Sequence, residues 1–165
     1  MMNFKKGEIE GVVIKELVKF NDERGYLVET FRADTLPEGL RPVMSYVSYT
    51  KVGVARGPHE HREQTDIFCF MGPGNFKIKL WDNRGKSRTY GNCMVLEGGE
   101  DNPITVVVPP SVVHGYKNIS DKVMGMVINY PDRLYRGWGK KEEVDEIRHE
   151  DKEDEFYLDF IKEED

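Results

Sequence analysis

The sequence predicts an all-β protein, a sandwich or barrel of short strands. Three observations lead there. Apolar and β-branched residues come in runs of strand length. Glycine, proline and asparagine break the runs at regular spacing. The run "NFKIKLW" alternates with period two, placing Phe76, Ile78 and Leu80 on one face and Lys77, Lys79 and Trp81 on the other. The 165 residues fit a single domain. A chain of that length buries roughly 70% of its unfolded surface.

In chain order, "GVVIKELVKF" and "GYLVETF" read as strands around the turn-like "NDERG". "PVMSYVSYT" is aromatic and β-branched. "DIFCFM" and "NFKIKLW" read as a pair joined by the turn "GPG". "TVVVPP", "VVHGYKN" and "VMGMVINY" complete the set. The barrel is expected over about residues 8–135. From about 136 to 165 the chain is charged and mostly acidic, and it reads as a short helical segment or a solvated tail. Within it, "FYLDFI" is apolar enough to dock back onto the sheet.

Hydrophobic residues make up 38% and charged residues 33%, a soluble globular composition. The net charge of -6 argues against a general nucleic-acid binder. A few arginines or backbone amides can still grip a phosphate locally. No apolar run approaches the roughly 20 residues of a membrane span. "MMNFKKGEIEG" has no apolar stretch behind its lysines, as a signal peptide would. Cys69 and Cys93 then read as free thiols, and the expected location is cytoplasmic.

The chemistry concentrates in "RGPHEHREQTD", residues 56–66. Residues i and i+2 of a strand share a face, so His59 and His61 can converge. With His114 and Asp66 they form a set that suits zinc, iron, manganese or nickel. The spacing of Gly53, His59, His61 and Asp66, then Pro109, His114 and Asn118, resembles the two-motif pattern of the cupin superfamily. Asp66 replaces a glutamate and Ser111 a glycine. That resemblance implies a jelly-roll barrel.

Several segments, in order over about residues 10 to 130, are similar to a narrower family, the dTDP-4-dehydrorhamnose 3,5-epimerases. "DERGYLVETF" resembles its "DERG-aromatic-x-x-E", "RGPH" its "RGLH", "VPPSVVHGYKNISD" its "IPEGFAHGFxxLS(D/E)", and "GNFKIKLWDNR" its "GEVFDVAVDIR". The resemblance implies a metal-independent isomerase without a cofactor. Its substrate is a thymidine diphosphate sugar with a C4 ketone. The ketone acidifies the neighbouring C–H groups, because the carbanion delocalises into an enolate. By the same resemblance His59 is the base and His114 lines the site. Arg56 meets the diphosphate, as a guanidinium that grips two oxygens. Arg24 and Glu29 line the nucleotide end, in many members from the partner subunit of a homodimer.

The chain also departs from this pattern. Gly125 stands at or near the position of the tyrosine that serves as the acid on the opposite face, and Tyr130 survives from the neighbouring segment. The family's downstream aspartate, which holds the base, has no alignable counterpart in the acidic tail. "RGPHEHRE" further resembles the "RGKHAHKE" of sugar-nucleotide 3,4-ketoisomerases, where both histidines shuttle the proton. The expected catalytic set is therefore His59, His61, His114 and Tyr130, with Tyr116 and Lys79 as further substrate contacts. The alternatives are a metal-dependent cupin enzyme using His59, His61, Asp66 and His114, and a non-catalytic sugar-binding cupin.

Overall fold

The computed structural model describes residues 4–161. Its strands are β1 (Lys5–Lys6), β2 (Val13–Glu16), β3 (Lys19–Asp22), β4 (Gly25–Val28), β5 (Tyr46–Thr50), β6 (Ala55–His61) and β7 (Asp66–Phe70). There follow β8 (Asn75–Asp82), β9 (Asn92–Gly99), β10 (Ile104–Val108), β11 (Val112–Asn118), β12 (Gly125–Asn129) and β13 (Glu146–Arg148). One short helix, α1 (Glu155–Ile161), ends the described chain. A six-stranded sheet runs β1-β9-β8-β11-β6-β13 and faces a five-stranded sheet, β2-β10-β7-β12-β5. Strands β3 and β4 form a separate hairpin. This is the expected all-β jelly roll. Among the described residues no helix is long and apolar enough to cross a membrane.

The core lies between the two sheets and follows their pleat. Phe76, Ile78 and Leu80 of β8 meet Phe68 and Phe70 of β7, with Val106, Val112 and Val127 around them. Each large apolar side chain removed from water contributes roughly 1.5–3 kcal/mol. The opposite face of β8 carries Trp81, which α1 covers with Phe156 and Phe160. "FYLDFI" thus docks as expected.

Two expectations change. Strands β7 and β8 are consecutive but do not pair. Both edges of β7 are taken, by β10 and by β12, so Gly72-Pro73-Gly74 carries the chain from one sheet to the other. The C-terminal segment is not simply helical or solvated. Strand β13 extends the six-stranded sheet beyond residue 135 by pairing with β6. Nothing in its sequence alternates strongly; the free edge of β6 recruits it. Residues 162–165 of the expected segment lie outside the described residues.

The fourth histidine, His149, pins this segment down. It is buried, and its Nε2 lies 3.1 Å from Glu60 Oε1 while Nδ1 meets Asp154. Burial disfavours the imidazolium, but these two carboxylates outweigh it and raise the pKa. Asp145 ties the same segment to the loop before β7. Its carboxylate accepts hydrogen bonds from the backbone N–H groups of Arg62, Glu63 and Gln64.

Candidate active site

His59 and His61 project from β6 to one side, two residues apart as the pleat requires. His114 of β11 stands directly opposite His59 in the ladder, with ring centroids 4.3 Å apart. Arg56 is three residues before His59, an odd spacing that should turn it to the other face. A register irregularity between β6 and β11 corrects this: His59 pairs with His114, but Arg56 pairs with Tyr116. Such a bulge re-aims side chains. Gly57 sits in it with φ +79°, and a Cβ there would stand 2.7 Å from the His114 carbonyl oxygen. Only glycine fits, and both Arg56 and His59 then line one cavity.

That cavity, about 1660 Å³, opens between the sheets and is rimmed by the 131–145 loop. Tyr46, Arg56, His59, His61, Phe68 and Tyr116 are among its walls. Asp66, 1% exposed, lies beneath the histidines. Its Oδ2 is 3.1 Å from His61 Nε2 and 3.4 Å from His114 Nε2. Its Oδ1 accepts hydrogen bonds from Gln64 Nε2 (2.9 Å) and Asn129 Nδ2 (2.7 Å). His59, His61, Asp66 and His114 offer donor atoms all within 4.8 Å of one another. His61 Nδ1 faces the Asp145 carbonyl and His114 Nδ1 the Val112 carbonyl, which turns both Nε2 atoms toward Asp66.

The electrostatics separate the histidines. Burial holds His59 well below the usual imidazole pKa, and the neighbouring His114, His61 and Arg148 add to this against the pull of Asp66. Burial also opposes charge on His61, but the facing Asp66 carboxylate together with the charges of Glu146 and Asp145 outweighs it and the pKa rises. For Asp66 burial likewise opposes charge, yet His114 and His61 hold the carboxyl well below the ordinary range. A proton-free imidazole thus stands beside one that favours its proton, an arrangement suited to acid-base work.

The tertiary structure adds groups that the sequence pattern does not reveal. Strand β13 sets Glu146 opposite His61 and Arg148 opposite His59. Glu146 Oε1 is 3.9 Å from His59 Nε2, a carboxylate brought beside that histidine from the acidic C-terminal segment. Tyr46 of β5 enters from the other sheet, its hydroxyl accepting a 3.0 Å hydrogen bond from Asn129 Nδ2. No local signal marks Glu146 or Tyr46; only strand pairing brings them in.

Other expected residues lie elsewhere. Tyr130 follows Asn129 and so faces the opposite side. Its hydroxyl meets Thr30 Oγ1 at 2.8 Å, and its ring packs on Phe31 outside the histidine cavity. Lys79 shares the outer face of β8 with Trp81. It is buried beneath α1, 2.9 Å from Asp159 Oδ2, and does not line the cavity. Arg24 and Glu29 sit on and beside the exposed β3–β4 hairpin, paired with Asp22 and Arg32, away from this chain's own cavity. Arg56 is partly engaged, with Nε on Thr50 Oγ1 and Nη2 on the Tyr49 carbonyl. Tyr116 is almost fully buried, its hydroxyl 3.1 Å from Ser48 Oγ.

Residues 6–153 match the family described as dTDP-4-dehydrorhamnose 3,5-epimerase. The chain is 38% identical over 128 residues to the probable low-salt glycan biosynthesis epimerase Agl13 of Haloferax volcanii, covering 77% of this chain and 81% of that protein. It is 30% identical over 132 residues to the dTDP-4-dehydrorhamnose 3,5-epimerase of Methanothermobacter thermautotrophicus, covering 77% and 69%. The crystal structure of a dTDP sugar isomerase from Desulfovibrio desulfuricans superposes with a TM-score of 0.75 at 24% identity, covering 85% of this chain and 84% of that one.

Proposed function

The chain belongs to the dTDP-4-dehydrorhamnose 3,5-epimerase family, and on that premise we propose how its own residues carry the reaction. It is an isomerase, a nucleotide-sugar epimerase that moves protons next to the C4 ketone of a dTDP-4-keto-6-deoxy sugar. His59 is the base. The observation that carries this role is its place in the cavity wall, in surroundings that keep it proton-free near neutral pH. A general base must be unprotonated to act. As it takes the proton from carbon, Asp66 and Glu146 steady the new imidazolium. His61, whose pKa is raised, supplies a positive group beside the developing enolate oxygen. Such preorganised charge is usually the largest contribution to the rate. His114 helps keep Asp66 charged, and Arg56 grips the diphosphate with what its bonds to β5 leave free.

The test is NMR of dTDP-4-keto-6-deoxyglucose in heavy water with the protein, after metal analysis of the same batch. Deuterium at C3, C5 or both, without stoichiometric metal, is the expected result. Migration of the ketone to C3 would instead identify a 3,4-ketoisomerase. No exchange, with dTDP bound, would reduce the protein to a sugar-binding cupin.

One observation favours a second reading. Asp66 Oδ2 and His114 Nε2 are buried without a well-formed hydrogen bond, and the backbone carbonyls that orient His61 and His114 are the kind of support metal-binding histidines receive. His59, His61, Asp66 and His114 fit a divalent transition metal. Bound there, it would polarise the ketone oxygen as a Lewis acid. Stoichiometric metal that is needed for exchange would establish this reading in place of the first.

The protein works as a homodimer. The β3–β4 hairpin stands apart from both sheets and exposes Phe20, Tyr26 and Leu27 by 55%, 52% and 62%. An isolated hairpin is marginal in water, so this one needs a surface to cover it. A partner's cavity mouth would also place Arg24 and Glu29 at the nucleotide. Light scattering is expected to give twice the 19.1 kDa of one chain; a monomer mass at micromolar concentration would overturn this.

A further inference from the structure

Resting on the reading of His59 as base, we propose that Tyr46 is the acid that returns a proton to the opposite face of the sugar. An enolate is flat. A proton removed from one face inverts the carbon only if another is delivered to the other face, and delivery needs a donor across the cavity from the base. His59 belongs to the six-stranded sheet and Tyr46 to the five-stranded sheet, and both line the same cavity. A sugar ring held between the sheets presents one face to each.

The other tyrosines of the region fit less well. Tyr116 lines the cavity from β11, the same sheet as His59, and its hydroxyl meets Ser48. Tyr135 sits on the rim loop and belongs to neither sheet. Tyr130 faces away, toward Thr30. Gly125 carries no side chain, and a Cβ there would stand 2.3 Å from the Phe76 ring, so the core already fills that space.

The surroundings of Tyr46 suit a donor. Asn129, 1% exposed, points one N–H at the Tyr46 oxygen and the other at Asp66 Oδ1. The hydroxyl hydrogen is therefore left to point at the cavity. Asn129 cannot turn away, because its own carbonyl accepts from the Ile67 backbone N–H. Tyr46 is 42% exposed at the open cavity, and the walls around its phenol and then the Asp66 charge raise the pKa, so the proton is in place before the enolate forms. After transfer, the Asn129 N–H steadies the phenolate.

The step balances. The His59 ring nitrogen takes the proton, and the C–H electron pair becomes the enolate. The enolate pair then forms a new C–H bond on the other face with the Tyr46 proton, and the ketone is restored. Imidazolium and phenolate remain. One gives a proton to water and the other takes one back.

The test is Tyr46→Phe with dTDP-4-keto-6-deoxyglucose in heavy water, read by NMR for both deuterium incorporation and configuration. The variant loses only a hydroxyl, and calorimetry with dTDP checks that the cavity is intact. The expected result is retained exchange at the carbon facing His59, with inversion slowed by a factor of about 10² or more, the usual size of a lost acid. His59 then removes and returns protons on one face. Inversion at the unmutated rate overturns the proposal alone. So does equal loss of exchange and inversion with dTDP still bound, since Tyr46 would then act on the side of the base. Absence of exchange in the unmutated protein overturns the His59 reading, and the proposal with it.

Discussion

Replacing His59 with alanine is expected to abolish exchange of substrate protons with solvent while dTDP still binds. The side chain lines the cavity without belonging to the apolar core, so the fold survives its removal. A lost general base typically costs a factor of about 10² to 10⁴, enough to take exchange to background. Retained exchange in this variant would sink the assignment. The pH dependence follows from the same environment. His59 acts only when neutral, and its pKa lies well below the ordinary 6.5. Exchange should therefore hold its rate as pH falls through 6.5 and decline only well below it. An acid limb centred at or above 6.5 would point to a group other than His59.

Replacing Asp66 with alanine is expected to be the most destabilising single change in the site. The carboxylate receives Gln64 and Asn129 on one oxygen and faces His61 and His114 with the other. Alanine leaves two amide donors and two imidazoles around a methyl group in a buried space. Removing one partner of a buried ion pair costs about 3–5 kcal/mol, which for a chain of this size lowers the melting temperature by on the order of 10 °C. The sign with pH is fixed by the depressed pKa. The stabilisation is fully present above the ordinary aspartate value of 3.8 and is lost as pH falls through the lower folded-state value. The gap between the melting curves of wild type and variant should therefore narrow in strong acid. Melting temperatures within about 2 °C at pH 7 would contradict this account of the network.

Much of the site is legible in the chain because strand geometry is local. The i, i+2 rule puts His59 and His61 on one face, and the alternation of "NFKIKLW" separates Phe76, Ile78 and Leu80 from Lys79 and Trp81 without any tertiary information. Alternation does not say which face meets a cavity. Helix α1 covers the outer face of β8, and Lys79 ends beneath it beside Asp159 rather than at the substrate. Tyr130 fails for a related reason. It lies one residue past Asn129, and one residue is the difference between the two sides of a sheet.

The sequence by itself determined the class of fold, the convergence of His59, His61, His114 and Asp66, and the kind of chemistry those groups perform. Periodicity within segments gives the fold class and the shared face of His59 and His61, whereas the placing of His114 and Asp66 beside them and the kind of chemistry rest on the resemblance to known motifs. Tertiary structure alone decided which residues complete the site. Glu146 reaches His59 because β13 fills the edge of β6, and Tyr46 lines the same cavity as His59 because β5 pairs with β12 in the facing sheet. These partners lie between 13 and 87 residues from His59. Strand pairing at such separations is settled by which edges remain open once the core has closed, and no local pattern records that.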